Sequence, residues 1–195
     1  MRVCLIRHAS TGWNEDGRIQ GRTDIPLSAG GREQATAWRL PPGFAGAACV
    51  TSPLSRARQT AELLGFSDPP TDDRLVEMAW GKFEGRTLRD LRAQPATALR
   101  ELEEAGLDFR PLDGESPRMV ADRLAACLRE LALTGRDHVV ITHKGVLRAS
   151  LVLALGWDML GKSPVRYEPE LALIYALEPA GKLRFEAAVS LAVEQ

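Results

Sequence analysis

Short apolar runs alternate along the chain with longer stretches whose apolar residues recur at helical spacing. Residues 2–6 (RVCLI), 47–52 (AACVTS) and 138–143 (HVVITH) each read as a buried strand. Ser28 predicts the cap of a helix carrying Ala35, Trp38 and Leu40 on one side, stopped by Pro41 and Pro42. Pro53 predicts the opening of a second helix, with Leu54, Ala57, Ala61 and Leu64 as its apolar stripe. Ser116-Pro117 predicts a third, with Val120, Leu124, Leu128 and Leu131 along one face, and GVLRASLVLAL a fourth, leaving the third strand. ELALIYAL and KLRFEAAVSL, joined through Pro179-Ala180-Gly181, predict a pair of strands. Strands alternating with helices imply an α/β fold, a three-layer α/β/α domain with a mostly parallel central sheet. Residues 1–195 are read as a single domain. The less regular stretch at about 71–114, broken by Gly81, Gly85, Pro95 and Pro111, is read as an inserted helical flap, because no linker composition flanks it.

The balance of 25 basic against 26 acidic residues, with a pI near 6.3, argues against a nucleic-acid partner held by bulk positive charge. Any anion site must therefore be a local concentration of cations. Apolar residues make up 45% of the 195, enough for a core that needs neither disulfides nor a structural metal. Cys4, Cys49 and Cys127 lie far apart in apolar surroundings and read as small buried side chains of a reducing compartment. The opening MRVCLIRHAS is too short in its apolar part for a signal peptide, and the longest apolar run, 149–157, is about half a membrane span. The expectation is a cytoplasmic protein with no membrane partner. Oligomeric state is not encoded in any pattern here.

In an open α/β sheet ligands bind beyond the carboxyl ends of the strands. Arg7-His8 follows the first strand, Thr51-Ser52 the second, with Arg56 and Arg58 shortly after, and His143-Lys144 the third. Two histidines and several cations are thus aimed at one edge. A metal site is disfavoured, because no H-x-H, H-E-x-x-H or Cys/His spacing completes one and the cations beside His8 would repel the ion. The cluster suits a phosphate dianion. Phosphoryl transfer needs charge neutralisation, an in-line nucleophile and a proton for the leaving oxygen. Arg supplies permanently charged forked donors, and a neutral imidazole can attack phosphorus and hold it as a phosphoramidate.

The blocks LIRHASTGWN, GRIQGRTDIPLSAGGREQA, TSPLSRARQTAELL, LVEMAWGKFEGRT, DGES and VVITHKGVLRA, in that order from residue 3 to about 150, resemble the histidine phosphatase superfamily, which includes the cofactor-dependent phosphoglycerate mutases. The resemblance implies a phosphoglycerate mutase-like fold, a small phosphorylated substrate and no cofactor. It implies His8 as the nucleophile that becomes phosphorylated, and Arg7, Arg58 and His143 as the phosphate pocket. It implies Glu77 as acid for the leaving alcohol and then base for water, Asn14 as a phosphate ligand, and Gln20 and Gly21 on the substrate side. Arg56 is read as a surface residue or an ion-pair partner on its helix. Ala9, Ser10 and Lys144 depart from the family's usual Gly, Glu and Gly. Lys144 is read either as an exposed helix-start residue or as an extra cation on the pocket rim.

The segment EMAWGKFEGRTLRDL is similar to the phosphatase branch and lacks the mutases' insertion with Tyr, Lys and paired Arg, so the expected activity is a metal-independent phosphomonoesterase. Mutase-type transfer is the alternative, and a phosphate-binding module without turnover is a third. Two rival motifs fail on context. Residues 156–163 match G-x-x-x-x-G-K-[ST], but a helical pattern precedes them and Pro164 and Pro169 follow. Cys49 and Arg56 are separated by six residues, one too many for a cysteine phosphatase loop. Trp13, Trp80 and Phe83 are read as core rather than as a wall for the leaving group.

Overall fold

The computed structural model describes residues 1–93 and 104–192. Five strands form one sheet: β1 (Arg2–Arg7), β2 (Ala48–Thr51), β3 (His138–Thr142), β4 (Leu171–Leu177) and β5 (Leu183–Ser190), in the spatial order β2-β3-β1-β4-β5. β1 lies in the middle. It pairs in parallel with β3, Val3 facing His138, and β3 pairs in parallel with β2, Ala48 facing the same histidine. β4 runs antiparallel to β1, and β5 antiparallel to β4. Four strands therefore point one way and β4 the other, so the sheet is mixed in its pairings.

Helices cover both faces. Successive residues of a strand point to opposite sides. Val3 and Leu5 pack with Leu124, Leu128, Leu147 and Leu151, whereas Cys4 and Ile6 pack with Ala35, Phe44, Ala57 and Ala61. The first cluster is supplied by α5 (Pro117–Leu133) and α6 (Lys144–Leu155), the second by α2 (Ala29–Ala37) and α3 (Ser55–Leu63). This is the three-layer arrangement that the sequence predicts. Each fully buried leucine in these layers contributes about 1.5–3 kcal/mol of transfer free energy.

The helix boundaries follow local chemistry. Ser28 accepts from Gly31 N and Ser116 from Met119 N, so both act as caps, and Pro117 occupies the first turn of α5. α2 ends at Ala37, short of the expected prolines, because Trp38 turns extended and bridges to Ala192. α3 starts two residues after Pro53, with Leu54 at its cap position. A four-residue helix, α1 (Gly12–Glu15), interrupts the loop after β1. The stretch 71–114 contains 3-10 turns and α4 (Leu88–Arg92), and its residues 94–103 lie outside the described residues. Among the described residues no helix is long and apolar enough to cross a membrane.

Candidate active site

The three parallel strands β2, β3 and β1 end side by side, and the chain leaving each delivers one part of the site. His8 follows β1 and its backbone N donates to Thr142 O at 2.9 Å, which ties it to the end of β3. His143 follows β3 and occupies the position before α6 without a side-chain capping bond. Ser52 follows β2, with its N donating to Ile141 O at 3.0 Å. The two imidazoles meet with ring centroids 5.1 Å apart and planes tilted by 58°.

His8 Nδ1 lies 2.7 Å from Ala9 O, an acceptor only, so the neutral ring carries its hydrogen on Nδ1 and leaves the Nε2 lone pair free. Burial pushes the His8 pKa well below its ordinary value, and the positive charges of Arg7 and Arg56 push it further. The neutral, nucleophilic form is thus favoured. The flanking Ala9 N is held by Thr60 Oγ1 at 3.1 Å.

His143 is completely buried behind this ring, and both its nitrogens are engaged. Arg56 Nε donates to Nδ1 at 3.3 Å, which places the ring hydrogen on Nε2, where it reaches Ser52 Oγ at 2.8 Å. Burial, then Arg56, keeps this imidazole neutral as well.

The arginine of α3 that enters the site is Arg56, not Arg58. Arg56 is fully buried, whereas Arg58 is exposed and outside the cavity lining. The expectation of a surface Arg56 and a phosphate-binding Arg58 is therefore corrected. Besides His143, Arg56 donates through Nη1 to Thr23 O at 2.9 Å and through Nη2 to Gly21 O at 2.8 Å. A guanidinium has five N–H groups, so two remain for an anion. Arg7, the last residue of β1, lines the same cavity, and its buried Nε has no partner among the described residues.

Glu77 stands across the cavity, mostly buried. Its Oε1 accepts from Met78 N at 2.8 Å and Gly145 N at 2.9 Å, which leaves Oε2 for other chemistry. The approach requires Gly145, because a Cβ at that position would collide with the Glu77 carboxylate. The turn carrying Glu77 is itself anchored by Glu115, the glutamate of the DGES block. Glu115 accepts from Ala79 N at 3.0 Å, from Arg22 Nη2 at 2.9 Å and from Arg123 Nε and Nη2, each at 3.2 Å. Sequence reasoning assigned Glu115 no role.

The remaining expected residues also reach the cavity, which measures about 550 Å3. Asn14 commits its Oδ1 to Thr11 N and Oγ1, so its NH2 is the group available to a ligand. Gln20 is buried, and its Oε1 has no partner among the described residues. Gly21 has φ +54°, and a side chain there would collide with Glu84. Lys144 lines the cavity as well, with its ammonium 5.9 Å from the Tyr167 ring centre. A smaller recess of about 290 Å3 reaches Arg7, His8 and Asn14 from the side of Ser10 and Pro169. Trp80, expected in the core, packs against Phe109 but also forms part of the cavity wall. The described residues contain no group of three or more His, Cys, Asp or Glu able to hold a metal ion. The thiols of Cys4, Cys49 and Cys127 are free, and burial pushes each up to about 12, so none is a ready nucleophile.

The profile of the histidine phosphatase superfamily (branch 1) matches residues 3–182. A probable phosphoglycerate mutase GpmB from Citrobacter koseri is 34% identical over 157 residues, 78% of this chain and 73% of that protein. Its counterpart from Escherichia coli O1:K1 / APEC is 35% identical over 132 residues, 66% of this chain and 61% of that protein. The match thus spans less than two thirds of the E. coli relative. The crystal structure of TTHB049 from Thermus thermophilus superposes with a TM-score of 0.72 at 33% identity, covering 99% of this chain and 100% of that one. A phosphoserine phosphatase from Entamoeba histolytica, in complex with 3-phosphoglyceric acid, shares the fold with a TM-score of 0.82 at 22% identity, covering 97% and 96%.

Proposed function

The chain belongs to the histidine phosphatase superfamily, and we propose that it is a metal-independent phosphomonoesterase that works through a phosphohistidine on His8. The single observation that carries this reading is the His8–Ala9 hydrogen bond, which leaves Nε2 unprotonated beside the guanidinium groups of Arg7 and Arg56. The phosphoryl group of a small monoester sits against Arg7, Arg56 and the Asn14 amide. His8 Nε2 attacks phosphorus, and the bond from phosphorus to the leaving oxygen breaks. Glu77 gives its proton to that oxygen, and the alcohol departs. Water then attacks phosphorus, Glu77 takes its proton, the P–N bond breaks and inorganic phosphate leaves. His143 does not touch the reacting atoms in this scheme; it holds Arg56 and fills the space behind His8.

The described parts of the stretch 71–114 act as a flap over the leaving group, which fits the contribution of Trp80, Leu88 and Phe109 to the cavity wall. A reducing cytoplasmic setting fits the three free thiols. Transfer to a second hydroxyl rather than to water is favoured by the name of the GpmB relatives, and it shares the first half-reaction. Hydrolysis of 4-nitrophenyl phosphate in the presence of a chelator is the direct test. The expected result is activity in the wild type, none above background in His8→Ala, and an acid-labile, base-stable phosphoryl adduct on the wild-type chain. Retained activity in His8→Ala would overturn the nucleophile assignment. Phosphoryl transfer to added phosphoglycerate in preference to water would favour the mutase reading.

A further inference from the structure

The cavity is much larger than a phosphate, and its far side has a different character from the His8 end. Trp80, Phe109, Leu88, Met159 and Leu160 form an apolar wall there. Leu88 and Leu160 are 45% and 48% exposed, and both line this space, where they extend one apolar surface with Trp80 and Phe109. Trp80 meets Phe109 edge to face, with ring centres 5.5 Å apart, and the pair forms a continuous aromatic surface. On the α6 side, Arg148 stands one helical turn beyond Lys144, about 6 Å further from the phosphate end. Arg148 lines the cavity, makes no ion pair among the described residues, and keeps a buried Nε with no partner. Its guanidinium is steadied by the Trp157 ring, 5.2 Å from the ring centre. A buried donor without a partner is costly, and a ligand acceptor relieves that cost.

We propose that this far side is a leaving-group subsite, and that the substrates are phosphomonoesters of alcohols with a ring-bearing apolar body and an acceptor or anionic group at its end. The apolar body lies on Trp80 and Phe109, and the terminal group pairs with Arg148. The inference rests on the phosphomonoesterase reading above and narrows its substrate class. Small polar esters would fill only the cationic end and leave the wall wet.

Three alkyl esters of matched leaving-group chemistry test it: ethyl phosphate, 2-phenylethyl phosphate and 2-(4-carboxyphenyl)ethyl phosphate. In the wild type, kcat/KM for the phenylethyl ester is expected to exceed that for the ethyl ester by about tenfold or more. Trp80→Ala should collapse that ratio, and Arg148→Gln should lower the carboxyphenyl ester relative to the phenylethyl ester by about tenfold. Equal rates for ethyl and phenylethyl esters, or variants that slow all three alike, would overturn the proposal. Calorimetry with ethylphosphonate and 3-phenylpropylphosphonate separates this outcome from failure of the parent reading. Tighter binding of the phenyl compound without any turnover would leave the subsite standing and remove the hydrolase. Equal binding of the two would remove the subsite.

Discussion

Arg56 Nε donates to His143 Nδ1 at 3.3 Å, and the same guanidinium reaches the carbonyls of Gly21 and Thr23. One side chain from α3 thus joins the end of β3 to the loop after β1. Arg58, two residues on, points to solvent. Arg56→Ala is expected to lower kcat/KM by about 10²–10³-fold, the usual loss when a fixed donor to a developing charge is removed. Arg58→Ala should stay within about threefold of the wild type, as surface changes do. Steady-state assays on the two variants check this, and the reverse order of effects would restore the reading made from sequence.

Glu77 is expected to matter in proportion to the leaving group's need for a proton. Glu77→Gln should slow alkyl phosphates by about 10²–10⁴-fold. A nitrophenyl ester leaves as a stable anion and should lose far less. A uniform loss across leaving groups would show that Glu77 serves binding instead.

Gly145 donates to Glu77 Oε1 at 2.9 Å from the first turn of α6. A methyl at this position meets that carboxylate and presses on Met78 Cβ at 3.2 Å. Gly145→Ala is expected to cost about tenfold or more in kcat through misplacement of Glu77, with little change in melting temperature. An unaltered kcat would mean that the carboxylate is not needed where it stands.

The buried imidazoles of His8 and His143 have pKa values held well below the ordinary 6.5, by burial first and by guanidinium charge second. His138 moves in the same direction, also through burial. Below about pH 6.5 the unfolded chain takes up protons that the native chain refuses. Stability is therefore full above that pH and declines as the medium becomes more acidic. Melting temperature is expected to be level from pH 8 to 7 and to fall between pH 6.5 and 5. The fall should be shallower in His143→Gln, and an equal slope in that variant would contradict the assignment.

The stretch 156–163 is a loop that begins at the left-handed Gly156 closing α6, and no strand enters it. Lys162 is exposed in that loop. Lys162→Ala should leave phosphomonoesterase activity within about twofold, as for other surface substitutions. ATP hydrolysis that disappears in this variant would reinstate a nucleotide loop.

The strands and the placement of His8 and His143 were legible because β1 and β3 are short continuous apolar runs, because the period-3.6 pattern is strong in α5, and because strand ends define the ligand edge of such sheets. The choice between Arg56 and Arg58 was not. The two lie about 100° to either side of Ala57 on the helix, and Leu54 and Ala61 lean the apolar stripe toward Arg58, so helical spacing does not single out Arg56. The hint was Thr60, one turn from Arg56 and on the same face, buried with its hydroxyl on Arg56 O at 2.7 Å. Glu115 was hidden for another reason. Its partners Arg22, Ala79 and Arg123 are far apart in sequence, and no local pattern announces a carboxylate shared by three segments. Trp80 was misjudged because a tryptophan that packs on the core with one edge and on a cavity with the other has the same sequence signature as a core residue.

The side-by-side termination of β2, β3 and β1 divides labour between two kinds of scaffold. Arg7, His8 and His143 stand at hydrogen-bonded strand tips, with Arg56 brought to them by α3, whereas the apolar wall is drawn from turns, the first residue of α4 and the loop after α6. Randomising positions 80, 88, 109, 159 and 160 should therefore retune selectivity while leaving the reaction engine untouched, which makes this chain a convenient host for directed evolution toward new esters.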